Sequence, residues 1–235
     1  MHQERLLGLD VFRGWAILLM VLFHLAYDLN YFHFIDINLK KDFFWVYARY
    51  VIVSMFLFSM GISLALVHRP NIRWKRMYKR TFMLSVASIL VSVATYIQFP
   101  DRWVYFGILH FILFASWLGL LLVPFPSLSF LLGLFILVGS YFGFLHTQYL
   151  FDILQSPLHL PKYTEDLVIV FPWFSVVLFG IAFVGFAWQN KVFTFPLLNA
   201  TNRFNLFLAF SGRHALLIYL LHQPILFGLI MLLAL

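Results

Sequence analysis

Asp10, Arg13, His24 and Asp28 are ionisable residues, of which the histidine and the acids can exchange protons, and they recur at helical spacing within RLLGLDVFRGWAILLMVLFHLAYD. At ~100° per residue, with Asp10 as zero, Arg13 falls at about −60°, His24 at about −40° and Asp28 at about 0°, so all four share one helix face. His24 and Asp28 stand at i, i+4. That spacing lets the carboxylate accept from one imidazole nitrogen and leaves the other as a base or nucleophile. Asp10 and Arg13, at i and i+3, are spaced for an ion pair. From Asp10 to His24 is ~21 Å of helix, so one face joins a charged end to a histidine far along the same element.

The element that must carry this face is otherwise Val, Leu, Ile, Phe and Met. Ionisable groups are costly in lipid, so the stripe has to look at protein or a water-filled cavity, and such residues are functional-site hypotheses by default. The whole chain has the same character. Its 235 residues are 63% hydrophobic and 11% charged, with mean hydropathy +0.92, against roughly 25% charge in a soluble domain. An integral membrane protein is expected, all-α, with residues 1–235 forming a single polytopic transmembrane domain. Asp10 and Arg13 interrupt any early apolar core, so the first span is expected to stay rather than be cleaved as a signal. The absence of cysteine excludes disulfides and thiolate chemistry. The net charge of +7 is distributed as membrane topology requires, and nucleic acid is not an expected partner. The histidines lack ligand spacing such as HExxH, so no metal is expected.

Seven spans are predicted: Leu9 to Tyr31, Phe43 to Val67, Thr81 to Ile97, Val104 to Val123, Leu128 to Leu145, Leu167 to Trp188 and Ala215 to Leu235. With the N-terminus cytoplasmic, the inner side collects eleven of the lysines and arginines, including the run from Arg69 to Arg80, and the outer side five. The positive-inside rule therefore selects an inner N-terminus and an outer C-terminus. The outer loop HTQYLFDILQSPLHLPKYTED is long enough to cap a cavity. Phe204 to Phe210 is apolar but too short to span, hence interfacial or re-entrant.

At ~1.5 Å per residue, His24 lies ~10 Å below the outer surface, Arg49 ~9 Å and His110 ~10 Å. Helices one, two and four thus bring His24, Arg49 and His110 to one level, with Asp28 just above. His222 reaches ~17 Å from the inner end of the last span, beside Pro224, which can kink that helix. The plainer readings are a packing pair for His24 and Asp28, snorkelling to the interface for Arg49, a satisfied core histidine for His110 and helix packing for His222. The basic run HRPNIRWKRMYKR suits topology and anionic headgroups better than cofactor phosphates. Arg13 and Arg213, near the polar stripe, are the better phosphate candidates. Asp166 either contacts an acceptor or ends the outer loop.

Arg5-x4-Asp10-x2-Arg13-Gly14, followed by Ala16-Ile17-x2-Met20 and a polar residue at 24, resembles the opening of the heparan-α-glucosaminide N-acetyltransferase family and its small bacterial relatives. Phe56-Leu57-Phe58-Ser59-Met60-Gly61 resembles that family's next span, and Ser211-Gly212-Arg213-x3-Leu217-x1-Tyr219-Leu220-x1-His222-x1-Pro224-Ile225 is similar to the last helix of several bacterial multi-span acyltransferase-like families. The resemblance implies transmembrane acyl transfer from cytoplasmic acetyl-CoA to an amino or hydroxyl group of a sugar or glycan on the far side. In the lysosomal members an asparagine stands where this chain has His24, and the catalytic histidine lies in the following loop, where this chain has His33. Both histidines are therefore candidates.

The expected enzyme is an acetyl-CoA-dependent acyltransferase of a bacterial cytoplasmic (inner) membrane, surrounded by lipid and compatible with a homodimer. Its catalytic set is His24, Asp28 and His110. The acyl-CoA is met by Asp10, Arg13, Arg213 and His222, and the acceptor by Arg49, His33 and Asp166. The rival readings are a proton-coupled transporter, since a polar stripe is also what a permeation path looks like, and a scaffold whose polar residues only pair with one another.

Overall fold

The computed structural model describes residues 6–145 and 147–234; Arg5 of the opening motif lies outside them. Of the described residues 74% are helical, and among them extended pairing is confined to an isolated bridge between Phe106 and Leu167. The helices are α1 (Leu7–Tyr31), α2 (Phe43–His68), α3 (Trp74–Gln98), α4 (Ile108–Leu122), α5 (Pro126–Tyr141), α6 (Gln148–Gln155), α7 (Val170–Gly185), α8 (Gln189–Val192), α9 (Pro196–Asn199), α10 (Arg203–Arg213) and α11 (Ala215–Leu233).

Each of the seven predicted apolar segments contains a helix. Four of them, α1, α2, α3 and α11, are long and apolar enough to cross a membrane. The other three, α4, α5 and α7, have 15, 16 and 16 residues, below the ~20 that a hydrocarbon core calls for. Local chemistry sets those shorter bounds. Residues before α4 are extended and held by α3, as described below. Pro126 opens α5, where its fixed φ suits the first turn. Within α7, Phe171, preceding Pro172, has φ −106 and ψ 135, the extended conformation that a following proline favours, so the helix is kinked there and runs regularly only from Pro172. At the other extreme α3 begins at Trp74, so Lys75, Arg76, Lys79 and Arg80 belong to its first turns rather than to a loop.

The chain forms two compact units, Met1–Ser59 with Trp188–Leu235, and Met60–Ala187. In the first, α1 is the axis. Val11 packs with Leu208 and Ala209 of α10, while Ile17 and Met20 pack with Ile52 of α2 and with Ala215, Ile218 and Tyr219 of α11. The α1–α10 contact is made by backbone: a Cβ on Gly14 would collide with the Leu208 carbonyl, and one on Gly212 with the Asp10 carbonyl. Small residues allow helices this close in lipid. Phe204 to Phe210, expected to be interfacial or re-entrant, is thus part of an 11-residue helix laid on α1. Asn202 caps it by accepting from the Asn205 N–H at 2.8 Å.

In the second unit α5 packs along α7, and α4 contacts α3, α5 and α7. Phe82, Ile89 and Ile97 of α3 are exposed, as a lipid-facing side requires. The segments around 102–106 and 164–168 run together. Glu165 N–H donates to Arg102 O at 3.0 Å, Val168 N–H donates to Phe106 O at 3.1 Å, and Arg102 pairs with Glu165 at 3.0 Å.

Candidate active site

The first unit holds two polar groupings on α1. At the N-terminal end Asp10 is buried, 2% exposed. Its Oδ1 accepts from Arg13 Nη1 at 3.2 Å and its Oδ2 from Arg213 Nε at 3.2 Å. The i, i+3 pair read from spacing forms, and α10 adds a second guanidinium from 203 residues away. A buried carboxylate needs such partners. Arg213, with its side chain 40% exposed, still faces outward.

The second grouping lies more than three turns further along α1. Asp28 is fully buried, and the expected hydrogen bond to His24 is replaced by one from α11: Gln223 Nε2 donates to Asp28 Oδ1 at 2.7 Å. His24 instead meets a second imidazole, with the His24 and His222 ring centroids 4.8 Å apart and the planes at 65°. His222 Nδ1 lies 2.7 Å from Tyr219 O. Among the described residues, His24 Nδ1, Asp28 Oδ2, His222 Nε2 and Gln223 Oε1 are buried without a hydrogen-bond partner. Unpaired buried polar atoms are costly, and here neighbouring residues on adjoining helices contribute all four.

His222, expected at the donor, is thereby placed beside His24. The sequence signal of Gln223 is an amide next to His222 in an apolar helix, since polar side chains in such helices bond across to neighbours. Arg49 does not join this grouping. It is exposed, with its guanidinium 5.7 Å from the Tyr50 ring centroid, the arrangement of an interfacial arginine. His33 is exposed, has φ 62, and lines a surface pocket with Asn30, Ile35, Asp36 and Ile37.

His110 and Asp166 belong to the second unit, and both organise the start of α4. Asp166 Oδ2 accepts from the Ile108 N–H at 2.9 Å, so it caps α4 across 58 residues; a carboxylate there also suits the helix dipole. Ser92 Oγ donates to Val104 O at 2.7 Å and lies 3.2 Å from His110 Nε2. Gly107 N–H donates to His110 Nδ1 at 3.3 Å. With the serine proton committed to Val104, His110 is the Nε2–H tautomer and both ring nitrogens are engaged. The expectation of a catalytic His110 meets a histidine already used to tie a loop. Its depth also arises differently. His110 is in the first turn of α4, and it reaches the level of Ser92, ~9 Å from the end of α3, because residues 103–107 fold back along α3. Thr95 Oγ1 accepts from the Val104 N–H at 3.0 Å in the same strip. Nearby, Tyr105, Asp152, Gln155 and Lys162 line a pocket of about 220 Å³.

Buried acids and imidazoles on apolar helices are the makings of a membrane enzyme, and the sequence comparison decides which kind. Residues 5–224 match the family described as heparan-alpha-glucosaminide N-acetyltransferase, catalytic. The chain belongs to that family. Family members are membrane acetyltransferases, and the match spans both α1 groupings together with His222 and Gln223. No curated protein and no solved structure matches the chain.

Proposed function

We propose that the protein is a transmembrane acyltransferase that moves an acetyl group from cytoplasmic acetyl-CoA to an amino or hydroxyl group of a sugar or glycan on the outer side of a bacterial inner membrane. The observation that carries the reading is the His24–His222 contact with Asp28 and Gln223 behind it. Four helical residues present unpartnered polar atoms in a setting where idle ones are expensive. His24 sits at the reaction centre and handles the acyl group. Asp28, held by Gln223, fixes α1 against α11 and so sets the distance between the two rings.

The N-terminal grouping serves the donor. Asp10 holds the guanidiniums of Arg13 and Arg213 side by side, and paired guanidiniums suit the diphosphate of a CoA thioester. The ~21 Å from Asp10 to His24 is then the length along which a thin pantetheine arm lies. With the N-terminus inside, this places the nucleotide at the cytoplasmic mouth and the reacting thioester toward the outer leaflet. His33, near the outer end of α1, is positioned for the acceptor, and Arg49 and Asp166 act as interface anchor and helix cap.

Incubation of the purified chain with radiolabelled acetyl-CoA and an amino sugar tests the proposal. Labelled sugar from the wild type, absent with His24→Ala, supports it. A folded wild type that labels neither itself nor the sugar overturns it.

A further inference from the structure

Tyr219 O is a carbonyl and can only accept, so the His222 Nδ1 that lies 2.7 Å from it carries the hydrogen. A neutral imidazole carries one such hydrogen, which leaves Nε2 as the lone pair. That nitrogen is buried and has no partner among the described residues, and the ring stands 4.8 Å, centroid to centroid, from His24. The other histidines in well-defined bonds differ. His110 has both nitrogens engaged, His68 Nδ1 accepts from the Arg73 N–H, and His214, which shares the Nδ1 arrangement with Phe210 O, is exposed. His222 thus combines a tautomer fixed by the backbone with a buried, unused lone pair on a ring that contacts His24.

We infer that His222 is the general base of the transfer, a role distinct from that of His24. The inference rests on the acyltransferase reading above. As the acceptor's nitrogen or oxygen attacks the thioester carbonyl carbon, His222 Nε2 takes the proton from that N–H or O–H. The new C–N or C–O bond forms, the C–S bond breaks, and the departing CoA thiolate recovers the proton from Nε2 to leave as the thiol. The Tyr219 carbonyl holds the ring throughout and stabilises the imidazolium that forms. His24 is left to meet the acyl carbonyl.

The test compares two acceptors in the purified full chain, glucosamine and hydroxylamine, the latter already unprotonated and strongly nucleophilic at neutral pH. His222→Asn keeps a side-chain N–H for Tyr219 O and removes Nε2. It is expected to lower transfer to glucosamine by about 100-fold or more and transfer to hydroxylamine by less than about 10-fold, with the KM for acetyl-CoA unchanged. Equal losses for both acceptors, or a glucosamine rate within about 3-fold of wild type, overturn the assignment. A wild type that acetylates neither acceptor overturns the acyltransferase reading together with this one, whereas wild-type transfer that survives in the variant overturns this one alone. Should His222→Asn not fold, nitrogen NMR of the histidine-labelled wild type decides. An Nδ1–H, Nε2-lone-pair tautomer at His222 supports the assignment, and the opposite tautomer contradicts it.

Discussion

Asp28 has no exposed surface, and its bond from Gln223 Nε2 is what makes a carboxyl tolerable there. Gln223→Leu is therefore expected to lower stability by about 1–3 kcal/mol, the cost of leaving a buried acceptor unmatched, read as a drop in thermal unfolding midpoint in detergent. Gln223→Glu, which sets two carboxyl groups against each other, should cost at least as much. A midpoint unchanged in Gln223→Leu would mean that Asp28 is satisfied otherwise. The periodicity of α1 made the shared face of Asp10, Arg13, His24 and Asp28 legible. The partners of those residues were legible only where they were local. Arg13 finds Asp10 at i+3, as the spacing allows. Asp28 has an equally good local partner in His24, yet bonds a residue 195 positions away, and no periodicity weighs a local contact against a distant one. His110 shows the same limit, since its tautomer is set by Ser92 and Gly107. His110→Phe and Ser92→Ala should be non-additive in a double-mutant cycle, with a coupling of about 0.5–3 kcal/mol; strict additivity would count against that network.

Among the elements, the apolar segments were readable from hydropathy, while their ends and the role of α10 were not. The start of α4 is displaced to Ile108 because Thr95, Ser92 and His110 bind the preceding strip, and side-chain bonds of that kind leave no trace in a hydropathy window. Segment α10 is too short to span and carries Asn205 and Ser211 among its apolar residues. From sequence it reads as an interfacial or re-entrant piece until the glycines are matched: Gly14 meets Leu208 and Gly212 meets Asp10, so each helix supplies the gap the other needs. Gly14→Val is expected to be among the most damaging single changes, because the colliding atoms are backbone and cannot rotate away. The loss should exceed the about 1–3 kcal/mol of ordinary overpacking and appear as loss of the monodisperse peak in size-exclusion chromatography. Leu208→Ala, which cannot retract its carbonyl, should not rescue it. Asp10→Asn should be milder, about 1–3 kcal/mol, since Arg213 is partly exposed and can turn to water.

For the molecule as a whole, composition made the membrane character plain, and four helices are long and apolar enough to cross. Span number rests on the apolar segments, and orientation on the distribution of bases. The lack of cysteine makes this directly testable: single cysteines at Asn71, Tyr163 and Ala234 can each be labelled with an impermeant maleimide in intact cells. The proposed topology predicts labelling at Tyr163→Cys and Ala234→Cys, and at Asn71→Cys only after lysis; labelling of Asn71→Cys in intact cells would reverse it. That orientation separates the donor end of α1 from its histidine end, and the central claim is that an acetyl group crosses between them. The most direct measurement puts the purified protein in sealed liposomes, with labelled acetyl-CoA on the side of the Asp10 end and an amino sugar on the other. Labelled sugar should accumulate opposite the donor, one CoA thiol released per sugar acetylated, and His24→Ala should abolish both. Solute crossing without consumption of acetyl-CoA, or equal product from His24→Ala, would contradict it.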